Sequence, residues 1–126
     1  MFLSKQHHIA VIASDWEKAK EFYMDKLGFR LVREVYRPAQ QDYLRMLQQG
    51  DTVLELFIKP NAPERVTDPE ARGLRHLAFH VEDVEAAASW LAGLGIETEP
   101  IREDTCNGGR YVFFRDPDGL PLELHE

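Results

Sequence analysis

The sequence predicts an α+β fold made of two pseudo-symmetric βαβββ modules, on three observations. First, the stretch Gly73-Leu74-Arg75-His76-Leu77-Ala78-Phe79-His80-Val81-Glu82-Asp83 replays the start of the chain 68 residues earlier. At that offset His76 falls on His8, Ala78 on Ala10, Asp83 on Asp15, Glu85 on Glu17 and Ala87 on Ala19, and Leu122-Glu123-Leu124 falls on Leu54-Glu55-Leu56. Self-similarity at a fixed offset marks a duplicated structural unit. Second, each copy reads as strand, capped helix and three further strands. Third, prolines 60, 63 and 69 sit among charged residues between the copies and read as a linker. A unit of about 60 residues is marginal alone, so the 126 residues are expected to form one domain of two fused modules, 5–59 and 73–126, joined by 60–72.

Within the first copy, His8 to Ala13 is a short apolar strand, and the Ser14/Glu17 spacing is that of a capping box opening a helix. Trp16, Ala19, Tyr23 and Leu27 recur at helical spacing as its buried face, and Gly28 ends it. Strand patterns follow over 29–36, 43–48 and 52–59, the last two joined at Gly50-Asp51. In the second copy 76–81 is a strand, and Asp83 caps a helix through Ala87, Trp90, Leu91 and Leu94 that Gly95 stops. Strands over 96–101, 110–115 and 120–125 complete it, with Asp116-Pro117-Asp118-Gly119 as the turn before the last. Pro121 cannot donate a ladder hydrogen bond, which predicts an edge position or a bulge. Asn107-Gly108-Gly109 is expected to be the most mobile loop.

A net charge of −7 and a pI near 5.2 argue against nucleic acid or an anionic membrane as partner, since both call for clustered Lys and Arg. The longest apolar run, Ile9 to Ala13, is too short to span a bilayer, and the first residues lack the pattern of a signal peptide. Cys106 is the single cysteine, which excludes an intrachain disulfide and places the expected home in the reducing cytoplasm.

Chemistry is concentrated in the repeated residues. Strand alternation puts His8 on one face with Ala10 and Ile12, and Glu55 with Val53 and Phe57. In the second copy His76, Ala78 and His80 go together, as do Pro121, Glu123 and His125. A charged Glu inside Val53-Leu54-Glu55-Leu56-Phe57-Ile58 is unfavourable to bury without a compensating cation, and Glu123 poses the same problem. For any one of the four residues alone, a hydrogen-bonded strand histidine, or a glutamate paired with Arg33, Arg75 or Arg110, is the plainer expectation. Recurrence of His and Glu at the same 47-residue separation favours a divalent metal held by His8, Glu55, His76 and Glu123. His7 faces the other way and reads as structural, and His125 is expected to be exposed near the chain end.

Taken together, His7 to Asp15, Phe22-Tyr23 through Leu27-Gly28-Phe29, Leu54-Glu55-Leu56-Phe57, Gly73 to Phe79 and Phe114 to Leu124 resemble the vicinal oxygen chelate superfamily, in particular its glyoxalase I-like (lactoylglutathione lyase-like) members and among those the small bacterial proteins of the YaeR type. The resemblance spans essentially the whole chain. It implies curved mixed sheets around a metal, the glyoxalase/bleomycin resistance/dioxygenase fold, with His8, Glu55, His76 and Glu123 at ligand positions. Zinc or nickel is the first expectation, with cobalt, manganese and iron open.

The implied activity is that of a metal-dependent lyase or isomerase acting on a small α-hydroxycarbonyl or hemithioacetal. A carboxylate, Glu123 or its mate Glu55, removes a proton while the metal stabilises the enediolate. Glyoxalase I holds glutathione partly through an arginine four residues after its first His ligand and an asparagine four residues after its first Glu ligand. Those positions are Ile12 and Lys59 here, so the metal chemistry carries over and the glutathione contacts do not. Substrate contacts are expected from His80, Lys59, Arg37, Arg110 and Phe57, with Arg65 a further anion contact and Phe113, Tyr36 and Met46 shared between core and pocket wall. An epimerase needs the same metal and carboxylates. A dioxygenase typically uses one carboxylate fewer, a thiol transferase acting on an epoxide antibiotic uses three protein ligands, and a drug-binding protein of the bleomycin-resistance type lacks the metal set. Open sheet edges and apolar faces predict a homodimer.

Overall fold

The computed structural model describes residues 2–126, Met1 lying outside the described residues. The chain divides into two compact units, Met1–Pro63 and Glu64–Glu126, and the division falls inside the stretch expected to be a linker.

The first unit runs β1 (Ile9–Ala13), α1 (Trp16–Ala19), a π-helical continuation (Lys20–Lys26), β2 (Arg30–Arg37), β3 (Asp42–Gln49) and β4 (Thr52–Ile58). Its sheet has the order β1-β4-β3-β2, with β1 parallel to β4 and the other pairs antiparallel. The second unit repeats this plan with β5 (Leu77–His80), α2 (Val84–Gly93), β6 (Arg102–Glu103), β7 (Arg110–Arg115) and β8 (Pro121–His125) in the order β5-β8-β7-β6. Register repeats as well. Ile9 pairs with Leu54 and Ala10 with Glu55, while Leu77 pairs with Leu122 and Ala78 with Glu123, each pair shifted by the same 68 residues.

One face of each sheet is apolar core. In the first unit Val11, Ala13, Leu47, Leu54 and Leu56 are buried together with Ala19, Phe22, Tyr23 and Leu27 of the helix. In the second, Leu77, Val112, Phe114, Leu122 and Leu124 are buried with Val84 and Leu91 of α2. Full burial of a side chain of this size stabilises the fold by about 1.5–3 kcal/mol.

Several boundaries differ from expectation for local physical reasons. Asp15, not Ser14, is the N-cap of α1, its carboxylate accepting from the Lys18 amide at 3.0 Å, so the Ser14/Glu17 box is displaced by one residue. The helix widens after Ala19, the Leu27 amide donating five residues back to the Phe22 carbonyl at 3.0 Å, and both Phe22 and Tyr23 point inward. Trp16 is only half-buried and carries the Arg45 guanidinium 4.2 Å above its ring. Trp90, expected on the buried stripe of α2, is exposed, since Val84 and Leu91 at helical spacing supply that stripe.

Gly95 stops α2 as predicted. With φ at 75° it lets its own amide reach the Ala92 carbonyl and the Ile96 amide reach the Leu91 carbonyl. No strand forms over 96–101, and a two-residue strand follows at Arg102–Glu103 instead: the Glu99 amide donates to the Phe113 carbonyl, but Pro100 next to it has no N–H to continue a ladder. Pro121 does not lie on an edge. β8 sits between β5 and β7, and Pro121 is tolerated because it is the first residue of the strand.

The loop before β7 is held by Asp104, which accepts from the amides of Cys106 and Asn107 at 2.9 Å each. Gly109 in that loop has φ 81°, and an added Cβ would lie 3.0 Å from the Glu126 carbonyl oxygen, so two independent constraints fix a glycine there. Among the described residues no helix is long and apolar enough to cross a membrane.

Glu126 joins the elements of the second unit. Its carboxylate accepts from the Val84 amide at the start of α2 and from the Arg110 side chain of β7, which also reaches Glu85. Those bonds, the Arg110 contact first, lower its pKa from 4.5 to about 2. The stabilisation is therefore fully present above about pH 4.5 and is lost as pH falls through about 2. The expected outcome for Glu126→Gln is a lower urea midpoint than wild type at pH 7, with the gap closing between pH 4.5 and 2. A gap unchanged across that window would show that the carboxylate charge is not what ties β7 to α2.

Candidate metal centre

Each parallel strand pair builds the same small arrangement. Leu54 and Leu56 of β4 point into the core, so alternation turns Glu55 to the opposite face with Val53 and Phe57. Across the ladder Glu55 meets Ala10, whose small side chain leaves space above the carboxylate for His8, two residues earlier on the same face. His8 Nε2 lies 3.4 Å from Glu55 Oε2. In the second unit Ala78 stands opposite Glu123, and His76 Nε2 lies 3.0 Å from Glu123 Oε2. Both histidines sit one residue ahead of their strands rather than within them.

Both carboxylates are largely buried, with side-chain exposures of 12% for Glu55 and 10% for Glu123. Among the described residues neither forms an ion pair with Lys or Arg. Arg75 is engaged by Glu70 and acts on Glu123 only at longer range, while Arg110 is committed to Glu85 and Glu126. Each imidazole is steadied at its other nitrogen: His8 Nδ1 is 2.8 Å from His7 Nδ1, and His76 Nδ1 is 3.3 Å from Arg75 Nη1. His7, expected on the opposite face, instead meets the His8 ring, because both residues precede β1 and strand alternation does not yet hold there.

Two imidazole nitrogens and two carboxylates are a donor set that suits a divalent cation, and the partly desolvated carboxylates supply the negative charge such an ion would balance. The described residues gather these donors as two pairs, and no group of three or more His, Cys, Asp or Glu side chains among them could hold a metal ion.

The walls around each pair correspond. Met46 is the antiparallel partner of Glu55, and Phe113 is that of Glu123. The Phe113 ring stands edge-on to His76 with centroids 5.0 Å apart. Phe57 carries the Arg37 guanidinium 4.7 Å from its ring centre. Arg37 is bidentate to Asp42 at 2.6 and 2.7 Å, and Lys59 reaches the same carboxylate at 3.3 Å. The Arg37 hydrogen bond is the main reason the Asp42 pKa is lowered and that of Arg37 raised. Two expected anion contacts therefore share one carboxylate. Asp42 was not foreseen from the sequence, although it and Arg37 flank a four-residue turn as partners across a hairpin.

The remaining candidates divide. Arg110 faces α2, its pKa raised chiefly by Glu126, and is not placed near either pair. His80 is exposed with Nε2 3.4 Å from Glu82, and Ile12, its repeat mate, is also exposed. Tyr36 is exposed and packs on Tyr43 at 5.0 Å. His125, expected to be exposed, is half-buried in β8 and stacked on Tyr111. Its Nε2 donates to Asp104 at 2.9 Å and its Nδ1 to the Glu126 carbonyl at 2.6 Å. With an acceptor at each nitrogen its pKa is raised, Asp104 being the larger cause, and Asp104 is itself held near 2, first by the Asn107 amide and then by His125.

Comparison with known proteins gives this geometry its context. The chain is 54% identical to protein YwkD of Bacillus subtilis over 127 residues, covering 100% of this chain and 99% of that one. It is 50% identical to protein YaeR of Escherichia coli, with 98% and 97% covered. The crystal structure of a glyoxalase family protein from Enterococcus faecalis superposes with a TM-score of 0.96 at 50% identity, covering all of both chains. More distant relatives carry named activities: a 2-epi-5-epi-valiolone epimerase of Actinomyces at 32% identity, with 94% of this chain and 76% of that one covered, and a lactoylglutathione lyase of Haemophilus influenzae at 28%, with 94% and 90% covered. The sequence profile of the Glyoxalase/Bleomycin resistance protein/Dioxygenase superfamily matches residues 5–124, and the chain belongs to that superfamily.

Proposed function

We propose that the protein is a divalent-metal-dependent lyase or isomerase of the glyoxalase I kind, acting on a small α-hydroxycarbonyl or hemithioacetal-type substrate. The observation that carries this reading is the recurrence, in one strand register, of a largely buried carboxylate facing an imidazole: Glu55 with His8 and Glu123 with His76. These four side chains are the proposed ligands, zinc or nickel the first candidates. When bound, the metal supplies Lewis acidity toward the substrate oxygens.

The chain's own residues supply the rest. Glu123 is the proposed base, its carboxylate lying 3.0 Å from His76 Nε2 on the sheet face that bears Phe113, and Glu55 is its equivalent in the first unit. His7 and Arg75 orient the two ligand imidazoles from behind. Phe113 and Met46 keep water from one side of each carboxylate. An epimerase is the second reading, favoured by the 32% identity to the valiolone epimerase. Two carboxylates are what removal of a proton on one face and its return on the other require. The two readings separate in heavy water, where an epimerase returns substrate with deuterium at the inverted carbon.

Protein purified without chelator is expected to carry divalent metal, and His76→Ala is expected to lose most of it by elemental analysis. Equal metal content in the two would remove the proposed centre.

Activity on the glutathione hemithioacetal of methylglyoxal is expected to be weak. Ile12 offers no charge, and the Lys59 ammonium is already drawn to Asp42. Losing a charge-assisted contact lowers affinity roughly 10- to 100-fold. A kcat/KM of about 10⁷ M⁻¹s⁻¹ or more on metal-replete enzyme would identify glutathione as the true thiol.

The proposed assembly is a homodimer in the cytoplasm. Edge strands β1 and β2 expose Ile12, Leu31, Val32 and Tyr36, which a symmetric partner would cover, and Cys106 is a free thiol in keeping with a reducing compartment. Sedimentation at micromolar concentration is expected to give twice the 14.6 kDa chain mass, and a lone monomer would overturn the dimer.

A further inference from the structure

We propose that an arginine-lined cavity in the second unit seats an anionic group, phosphoryl or carboxylate, of the substrate. The assignment to the substrate rests on the metal-centre reading above. The cavity, of about 210 Å³, lies between the segment 65–75 and the face of the sheet that bears Phe113 and Pro121. That face is the one that carries the second His–Glu pair: Phe113 is the cross-strand partner of Glu123 and stands 5.0 Å from the His76 ring, and Arg75 precedes His76 directly.

Charge is unevenly balanced around this space. Four guanidinium groups, Arg65, Arg75, Arg102 and Arg115, line it against two carboxylates, Glu70 and Glu99. Glu70 is taken by Arg75 at 2.9–3.0 Å, and Glu99 is divided between Arg102 at 3.0 Å and Arg115 at 3.7 Å. Arg65 spends its donors on the carbonyls of Leu74 and Arg75, at 2.7 and 3.0 Å, and meets no carboxylate at ion-pair distance among the described residues. Two positive charges are thus left over in a chain whose net charge is −7. Planar guanidinium forks match the geometry of phosphate and carboxylate oxygens, and Arg65, fixed by two carbonyls, is already ordered for the role. Size selects the ligand. Pockets for drug-sized ligands run to roughly 300–1,000 Å³, so a cavity of about 210 Å³ suits a small anion or the charged head of a small metabolite.

Inorganic phosphate and, in a separate arm, acetate are the probes, titrated calorimetrically at fixed ionic strength into chelator-stripped protein. Wild type is expected to bind one anion per chain saturably, and the arm with the tighter binding identifies the head group. Arg102→Ala/Arg115→Ala is expected to weaken that binding about tenfold or more, whereas Arg30→Ala, an exposed strand arginine of the first unit, leaves it unchanged. Absence of saturable binding in wild type, or equal weakening by Arg30→Ala, overturns the cavity. Because the stripped protein needs no metal to bind phosphate, loss of the proposed metal centre and loss of the anion seat register in different measurements. Anion binding without metal uptake would sink the catalytic reading and, with it, the assignment to the substrate while leaving the anion seat itself, and metal uptake without anion binding would sink the seat alone.

Discussion

A carboxylate held inside a sheet, opposite an alanine, is the constraint on which the rest of the molecule turns. Burying Glu55 and Glu123 at 12% and 10% side-chain exposure is unfavourable unless a cation or a donor answers each charge. Alanine across the parallel ladder makes room for the answering group, and the nearest group is the histidine two residues earlier. Both strands of each pair must therefore be in one register, since a slip by one residue would turn the carboxylate into the leucine core on the other face.

The helix between the strands enforces that register at a distance. A parallel pair cannot be joined by a tight hairpin, so each first strand is followed by a capped helix and two further strands before its partner arrives. Asp15 and Asp83 start the helices by accepting from backbone amides, and Gly28 and Gly95, at φ 87° and 75°, end them in conformations that return the chain to the sheet. Leu54 and Leu56 anchor the first closing strand and Leu122 and Leu124 the second. Each glutamate is thus fixed between two buried leucines, which limits how far the carboxylate can move relative to its histidine.

Much of this was legible in the sequence because it depends on period and punctuation. The repeat of His8 and Glu55 as His76 and Glu123 announced both the duplication and the residues that now face one another. Strand alternation gave their faces, and the glycines and prolines marked most boundaries. What escaped depends on partners far apart in sequence. No periodicity reveals that Asp42 holds both Arg37 and Lys59, that Asp104 holds His125, or that Arg110 is drawn toward α2 by Glu85 and Glu126. Trp16 and Trp90 misled because helical spacing does not say whether a large ring lies at the centre of an apolar stripe or at its margin. Pro121 misled because the rule against proline in a central strand relaxes at the strand's first residue.

A purely structural account of the two His–Glu pairs is physically weak. A partly buried ion pair seldom repays the desolvation of its charges, and apolar residues of similar volume commonly serve stability as well or better. The sheets show what that alternative looks like: the core face of β4 is filled by Leu54 and Leu56, and that of β8 by Leu122 and Leu124, at 5% exposure or less. Setting a carboxylate between each pair of leucines, with the same histidine facing it and the same alanine opposite, forgoes that stabilisation twice in one chain. The arginines expected to neutralise the glutamates are engaged elsewhere, Arg75 with Glu70 and Arg110 with Glu126. Carboxylates left to imidazole alone remain free to serve a ligand that carries more positive charge than a histidine does, which is the chemistry of a divalent cation.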